Sequence, residues 1–473
     1  MIADRLLTLL GPDIVKPGPE SDPRFHRDWT ARNAVMPQAV VLPRCTDDVS
    51  VALGLCDKLG IPVVPQGGLT GLVGGAMPTR DCVVINLSRL SQPPMIDADA
   101  RMATVGAGTT LQTLQDAAAA YDLIFPVDFG ARGSCQLGGM IATNAGGVHV
   151  LHYGMMRAQV LGLEAVLADG TIVSSMNPLV KNNTGYDLRQ LFIGSEGTLG
   201  IITRAILRLV PSEPARAVAL LRVANVRAAH DLLVQLTSQG PNLNAFEAMW
   251  PSYYAFACDV TDTAPLPQGD GITLLVETTG REALPLQEAL LAALEPAMES
   301  GLIQDAVLAQ SEAQAQQFWD LREANEALPT RFSYLLGFDV SLTAIAMQDF
   351  VQRCDAGISA ANPTSQGLCF GHLGDGNLHL AITGAAPQDA HQLKDLVLGI
   401  VGQLGGSISA EHGVGTDKLA YLGLTRSDTE IDVMRRIKRA LDPNGILNPG
   451  KLLTLEVPAS KASPSRSQER ALS

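Results

Sequence analysis

Cys369 to Leu380 reads C-F-G-H-L-G-D-G-N-L-H-L and sets His372 and His379 on either side of the turn Gly374-Asp375-Gly376-Asn377. A second stretch, Ile408 to Gly415, reads I-S-A-E-H-G-V-G and puts Glu411 beside His412. Three imidazoles and a carboxylate in two glycine-punctuated loops suit a metal centre with an acid/base group. On one strand, the odd spacing of His372 and His379 would point them to opposite faces. The glycines argue against a helix. A turn that folds the chain back can instead bring both rings to one side, and Glu411 then adds an oxygen ligand. Two His and one carboxylate with an open position form a catalytic metal arrangement, with zinc the expected occupant. His412 points elsewhere on an extended backbone and is the candidate base. Asn377 is placed to bond the substrate or to hold that base.

Such a site needs a scaffold, and the chain supplies one in segments. A helix is predicted from Ala3 to Leu10, then an extended piece to residue 36 in which Trp29 is a candidate anchor. Strands follow at Ala39–Leu42 and Ile61–Val64, flanking a helix Val49–Leu59 with Thr46-Asp47-Asp48 as its N-cap. Residues 66–76, Q-G-G-L-T-G-L-V-G-G-A, are too rich in glycine for a regular element and suit a phosphate cradle. Gly106-Ala107-Gly108 lacks the third glycine of a dinucleotide fingerprint, so that reading is rejected. Residues 129–154 read as a second irregular glycine-rich run. Val160–Ser174, turning at Asp169-Gly170, reads as a hairpin. Residues 193–203, I-G-S-E-G-T-L-G-I-I-T, are a third glycine-rich loop. From about residue 215 strands and helices alternate in a pattern that predicts an α+β unit with an antiparallel sheet. Arg322 falls in a helical W-D-L-R-E segment. Residues 456–473 read as a disordered tail.

The bulk numbers bound the function. A chain of 473 residues implies two or three domains. Its net charge of −14 argues against nucleic-acid binding, and an anionic substrate would need a local positive centre. Seven scattered cysteines without a C-x-x-C exclude a disulfide framework or a cysteine zinc site and fit a reducing cytoplasm. No signal peptide and no transmembrane run is expected.

Taken together, P-Q-G-G-L-T-G-L-V-G-G, G-S-C-Q-L-G-G-M-I-A-T-N-A-G-G, K-N-N-T-G-Y-D-L, G-S-E-G-T-L-G-I-I-T, G-H-L-G-D-G-N-L-H, E-H-G-V-G and N-P-G-K resemble the flavin-dependent D-2-hydroxyacid dehydrogenases. These belong to the vanillyl-alcohol-oxidase-like flavoproteins. The resemblance implies an α+β fold: an FAD-binding domain of two α/β subdomains (37–212) after an N-terminal extension (1–36). A capping substrate domain with an antiparallel sheet and flanking helices (213–408) follows, and a segment (409–455) returns to the FAD domain. It further implies that Pro65, Gln66, Gly67, Gly68, Thr70, Gly71, Leu72 and Gly74 cradle the pyrophosphate. Ser134, Gly138, Gly139, Thr143, Ala145 and Gly146 would lie along the FAD, with Glu196, Gly197, Ile201 and Asn448 completing its site. No His occurs from Gln66 to Gly75, so the FAD is expected to be non-covalent.

Oxidising a 2-hydroxy acid requires loss of the hydroxyl proton and hydride transfer from Cα to flavin N5, which a metal on the substrate oxygens would ease. Arg322 resembles the family's carboxylate clamp; a surface ion pair with Glu326 is the alternative. One departure stands out. D-2-hydroxyglutarate dehydrogenases carry a Lys before the Asp-Val-Ser strand for the distal carboxylate, where this chain has Gly337, and Asn325 stands near the position of the family's substrate-contacting Thr. A D-2-hydroxyglutarate-like or D-lactate-like substrate is therefore expected. The acceptor would be an electron-transfer flavoprotein, a quinone or a cytochrome, and a homodimer is allowed. An oxidase of the same superfamily and a flavin-binding subunit of a larger redox complex are the alternatives.

Overall fold

Val40-Val41, Val63-Val64 and Val83-Val84-Ile85 are all fully buried, as strands covered on both faces must be. They form a four-stranded sheet in the order Val15–Pro17, Ala39–Val41, Val83–Asn86, Val63–Gln66, the last three parallel. The computed structural model describes residues 1–30, 34–179 and 181–455, so the expected tail lies outside it. A second sheet of five antiparallel strands has the order Met95–Asp97, Met102–Gly106, Ile201–Arg208, Val160–Val166, Ile172–Ser175. The third is antiparallel throughout, with seven strands: Ile303–Leu308, Ala215–Val223, Ile272–Gly280, Leu243–Met249, Gln366–His372, Asn377–Thr383, Leu336–Ser341. The protein is α+β.

Alternate residues of the seven-stranded sheet go to different cores. Leu221, Leu274, Val340 and Leu380 meet the helices Val226–Gln239, Ala283–Glu299, Ala344–Ala361 and Ala390–Gln403. Leu220, Leu275 and Phe370 meet the helices Pro251–Thr261 and Glu312–Arg322 on the opposite face. The chain's end comes back to the four-stranded sheet: Leu447 bridges Val63, and Lys438 Nζ donates to the carbonyls of Thr198 (2.7 Å) and Leu447 (2.8 Å). Among the described residues no helix is long and apolar enough to cross a membrane.

Three local expectations need correction. The helix expected from Val49 starts at Thr46. Asp48 caps it from inside the first turn, accepting the N–H of the N-cap Cys45 (3.3 Å) and of Arg44 (2.8 Å), while the Thr46 hydroxyl donates to Glu164 (2.7 Å). Residues 129–154 are not wholly irregular, since Leu137–Thr143 and Val150–Tyr153 are helices too short and glycine-rich to show a period. Trp29 is 74% exposed, so it is not packed as an anchor against the described residues.

Candidate active site

Antiparallel register builds most of the site. Glu247 pairs directly with His372, Phe370 with His379, and His379 with Asp339. Cross-strand partners share a face, as do residues two apart on a strand. Glu247, Phe370, His372, Asn377, His379 and Asp339 therefore all project from the face that carries the helix Glu312–Arg322. The hairpin turn does bring the two histidines together, with ring centroids 5.3 Å apart and planes at 85°. Arg322, at the end of its helix, lays its guanidinium 4.9 Å above the Phe370 ring.

Two buried carboxylates organise the charge on this face, each facing more than one partner. Glu247, 1% exposed, accepts from Arg322 Nε at 2.7 Å and lies 2.8 Å from His372 Nδ1. The ion pair of Arg322 with Glu326 is thus excluded, because the side chain turns inward to a strand rather than along its own helix. Burial would raise the Glu247 carboxyl, but His372 and Arg322 hold it below the usual range. Burial likewise opposes charge on His372, and the Glu247 anion overrides it and raises that imidazole. His379 is held well below its ordinary value by burial and by His372, which leaves a neutral ring with a free lone pair.

Asp339, fully buried, is the hub. Its Oδ2 accepts the consecutive backbone N–H groups of Ala410 (3.1 Å), Glu411 (2.9 Å) and His412 (3.0 Å). Its Oδ1 accepts from Asn377 Nδ2 at 2.7 Å. His379 Nδ1 lies at 3.9 Å, His412 Nδ1 at 3.8 Å and Lys418 Nζ at 3.8 Å from the carboxylate. A second buried carboxylate, Glu196, grips the same loop two residues on, taking the N–H groups of Val414 (2.7 Å) and Gly415 (2.8 Å). The Glu411-His412 segment is so clasped by a strand carboxylate and a loop carboxylate, and Glu411 Oε1 also accepts the N–H of Gly147 at 2.7 Å.

One ligand atom from each of His372, His379 and Glu411 lies within 4.8 Å of the others, and the same holds for Asp339, Glu411 and His412. The second group does not suit a metal, because both Asp339 oxygens are already committed to N–H donors. The first offers two imidazoles and an acid, a donor set that fits zinc. Asn377 Oδ1 beside it is buried without a partner, an acceptor waiting for a donor.

Glu411 and His412 form one end of a cavity of about 340 Å³. Of the residues expected at the cofactor, Pro65, Gln66, Gly67, Gly68, Thr70, Gly71, Leu72, Gly138, Gly139, Thr143, Ala145, Gly146, Glu196, Gly197, Ile201 and Asn448 line it. Gly74 and Ser134 do not. Gly74 has φ +75° with Thr416 packed where a Cβ would sit, and the Ser134 carbonyl closes on Gly68 so that only glycine fits there. The Glu196 carboxylate is spent on the loop amides described above, so it meets the cavity only as wall. Gln66 Oε1, Gln136 Oε1 and Asn448 Oδ1, all on lining residues, are buried acceptors without partners. Tight glycine walls and unpaired acceptors suit a ligand carrying phosphates and ring N–H groups, as FAD does.

Sequence reasoning missed Glu247, Asp339 and Lys418. The signal was available: a lone acid in an otherwise apolar buried strand, as in A-F-E-A-M and L-G-F-D-V-S, must be paired.

The fold matches a known structure closely. Crystalline p-cresol methylhydroxylase with bound substrate superposes with a TM-score of 0.75 over 96% of each chain at 16% identity, so the two share a fold. Residues 212–452 match the family described as FAD linked oxidases, C-terminal domain, and residues 37–175 match the FAD binding domain. A D-2-hydroxyglutarate dehydrogenase of Xanthomonas citri pv. viticola is 40% identical over 93% of this chain and 94% of its own. The mitochondrial D-2-hydroxyglutarate dehydrogenase of Rattus norvegicus is 36% identical over 93% of this chain and 83% of its own. The chain belongs to this FAD-linked dehydrogenase family, whose members act on CH–OH donors.

Proposed function

We propose that the protein oxidises a D-2-hydroxy acid to the 2-oxo acid with non-covalent FAD and a divalent metal, zinc before others. The observation that carries this reading is the meeting of His372, His379 and Glu411 beside His412 at the end of a glycine-walled cavity. When bound, FAD supplies a two-electron acceptor and the metal a Lewis acid that makes the substrate hydroxyl more acidic. His412 takes the hydroxyl proton. Asn377 Oδ1 accepts a hydrogen bond from the substrate. Arg322 holds the carboxylate through its terminal nitrogens, since Nε is used by Glu247. Cys135 lines the cavity, but burial pushes its thiol up to about 11, which supports a flavin held without a thioether. The domain division 37–212, 213–408 and 409–455 belongs to the same reading, as do a cytoplasmic location, a homodimer and an electron-transfer flavoprotein, quinone or cytochrome as acceptor. Seven free thiols support the reducing compartment.

Acid denaturation of the purified protein should release free FAD. A panel of D-2-hydroxy acids with an artificial dye acceptor should then show activity that prolonged chelation abolishes and Zn²⁺ restores. Colourless protein, or activity indifferent to chelation, would defeat the flavin or the metal part respectively.

The relatives' names put D-2-hydroxyglutarate first. Gly337 favours a second reading, a monocarboxylate such as D-lactate. It lies on the site face, two residues before Asp339, with nothing within 4 Å of a built Cβ. Gly337→Lys is expected to lower KM for D-2-hydroxyglutarate about tenfold through one charge-assisted hydrogen bond and to leave D-lactate turnover unchanged. An unchanged ratio of the two substrates would rule out position 337 as the discriminator.

A further inference from the structure

We infer that Glu247 is a positioning residue that prepares His372 to hold a metal and Arg322 to hold an anion. The inference rests on the reading of His372 as a metal ligand. Glu247 is 1% exposed, and each oxygen has one partner: His372 Nδ1 at 2.8 Å and Arg322 Nε at 2.7 Å. A carboxylate only accepts, so Nδ1 carries a hydrogen, and in the neutral ring the lone pair a metal needs is left on Nε2. The strand register sets Glu247 directly opposite His372, so this tautomer is imposed before any metal arrives. The same carboxylate stops the Arg322 guanidinium from rotating above Phe370. Glu247 does not line the cavity, and with both oxygens engaged it is neither ligand nor base.

Glutamine cannot do this. Its single oxygen can accept from Arg322 or from His372, but not from both. Serving Arg322 turns the NH₂ toward His372, which must then accept at Nδ1 and carry its hydrogen at Nε2, where a metal would bind. Serving His372 sets an NH₂ against the Arg322 Nε–H.

The test measures the dissociation constant of zinc by competition with a chromophoric chelator, on full-length flavin-loaded protein without substrate. Glu247→Gln should bind zinc about 10- to 100-fold more weakly than wild type, the usual cost of losing such an outer partner. Cobalt(II) in place of zinc should show an altered visible absorption in the variant. Glu277→Gln is the control, since Glu277 is also buried in this sheet but bonds only Trp319 Nε1 and Asn244 Nδ2, both at 2.7 Å, besides an ion pair with Arg216; its zinc affinity should equal that of wild type. Flavin content reports folding. If the Gln variant is recovered without flavin, Glu247→Asp, which keeps the charge but reaches only one partner, carries the test with the same expected loss. Equal zinc affinity in wild type and the Glu247 variants, or an equal loss in the Glu277 control, overturns the inference. Wild-type protein that binds no zinc overturns the underlying metal reading as well.

Discussion

His412→Ala protein should keep the flavin content and zinc affinity of wild type and lose about 10²- to 10⁴-fold in turnover, the range for a missing general base. The ring lies at the cavity wall beside Glu411, and its Nδ1 is 3.8 Å from Asp339 Oδ2. A proton gained by this imidazole therefore meets a buried anion. His412 is only half-buried, and its backbone N–H to Asp339 survives the substitution, so the loss belongs to chemistry rather than stability. Steady-state kinetics with a dye acceptor, read with flavin and metal content, checks this. Turnover equal to wild type would remove His412 from the role of base and leave the proton to another group.

The second large effect is expected at Asp339. Its carboxylate takes four N–H donors, and an Asn side chain offers only one accepting oxygen. In either orientation the NH₂ of the introduced amide would face donors: three backbone N–H groups or the Asn377 side chain. Lys418, buried and lowered by that burial, would lose its counter-charge. Breaking a buried charge set of this kind costs about 3–5 kcal/mol. Glu411 and His412 lose their shared anchor, and a shift of about 1 Å at reacting groups is enough for about 10²-fold in rate. Asp339→Asn should therefore lower both the melting temperature and turnover, whereas His412→Ala lowers turnover alone.

The pH dependence has a definite sign. Burial would raise the Asp339 carboxyl, but His412, Lys418, His379 and the His412 N–H hold it far below the carboxylate range. A carboxyl depressed by folding contributes stability that is complete above its unfolded value of about 3.9 and is lost as pH falls toward its folded value. The stability gap between wild type and Asp339→Asn should be constant down to about pH 5 and narrow below it. A gap that widens on acidification would mean the group is not ionised in the folded protein.

Two carboxylates, Asp339 on a strand and Glu196 in the loop before Ile201–Arg208, hold one six-residue stretch, Ala410 to Gly415, by five of its N–H groups. This explains why E-H-G-V-G is legible as a motif while the residues that shape it are not. The motif's glycines stand out locally. Gly413 at φ +84° and Gly415 at φ +50° take conformations other residues resist. Gly415 also has Val73 packed where a Cβ would sit. Asp339 and Glu196 look like ordinary acids until the chain is folded.

The sequence by itself determined the candidate ligand side chains, the turn that folds His379 back beside His372, and the three glycine-rich loops that wall the cavity. These are local properties: residue type, spacing, and backbone freedom at glycine. Only the tertiary structure decided that Glu247 stands opposite His372, that Arg322 turns inward to it, and that Asp339 anchors the loop carrying Glu411 and His412. Their partners lie 125, 75 and about 72 positions apart in the chain. The physical reason is strand register. A pairing shifted by one residue would send Glu247 and Asp339 to the apolar core on the other face, and nothing short-range in the sequence sets that register.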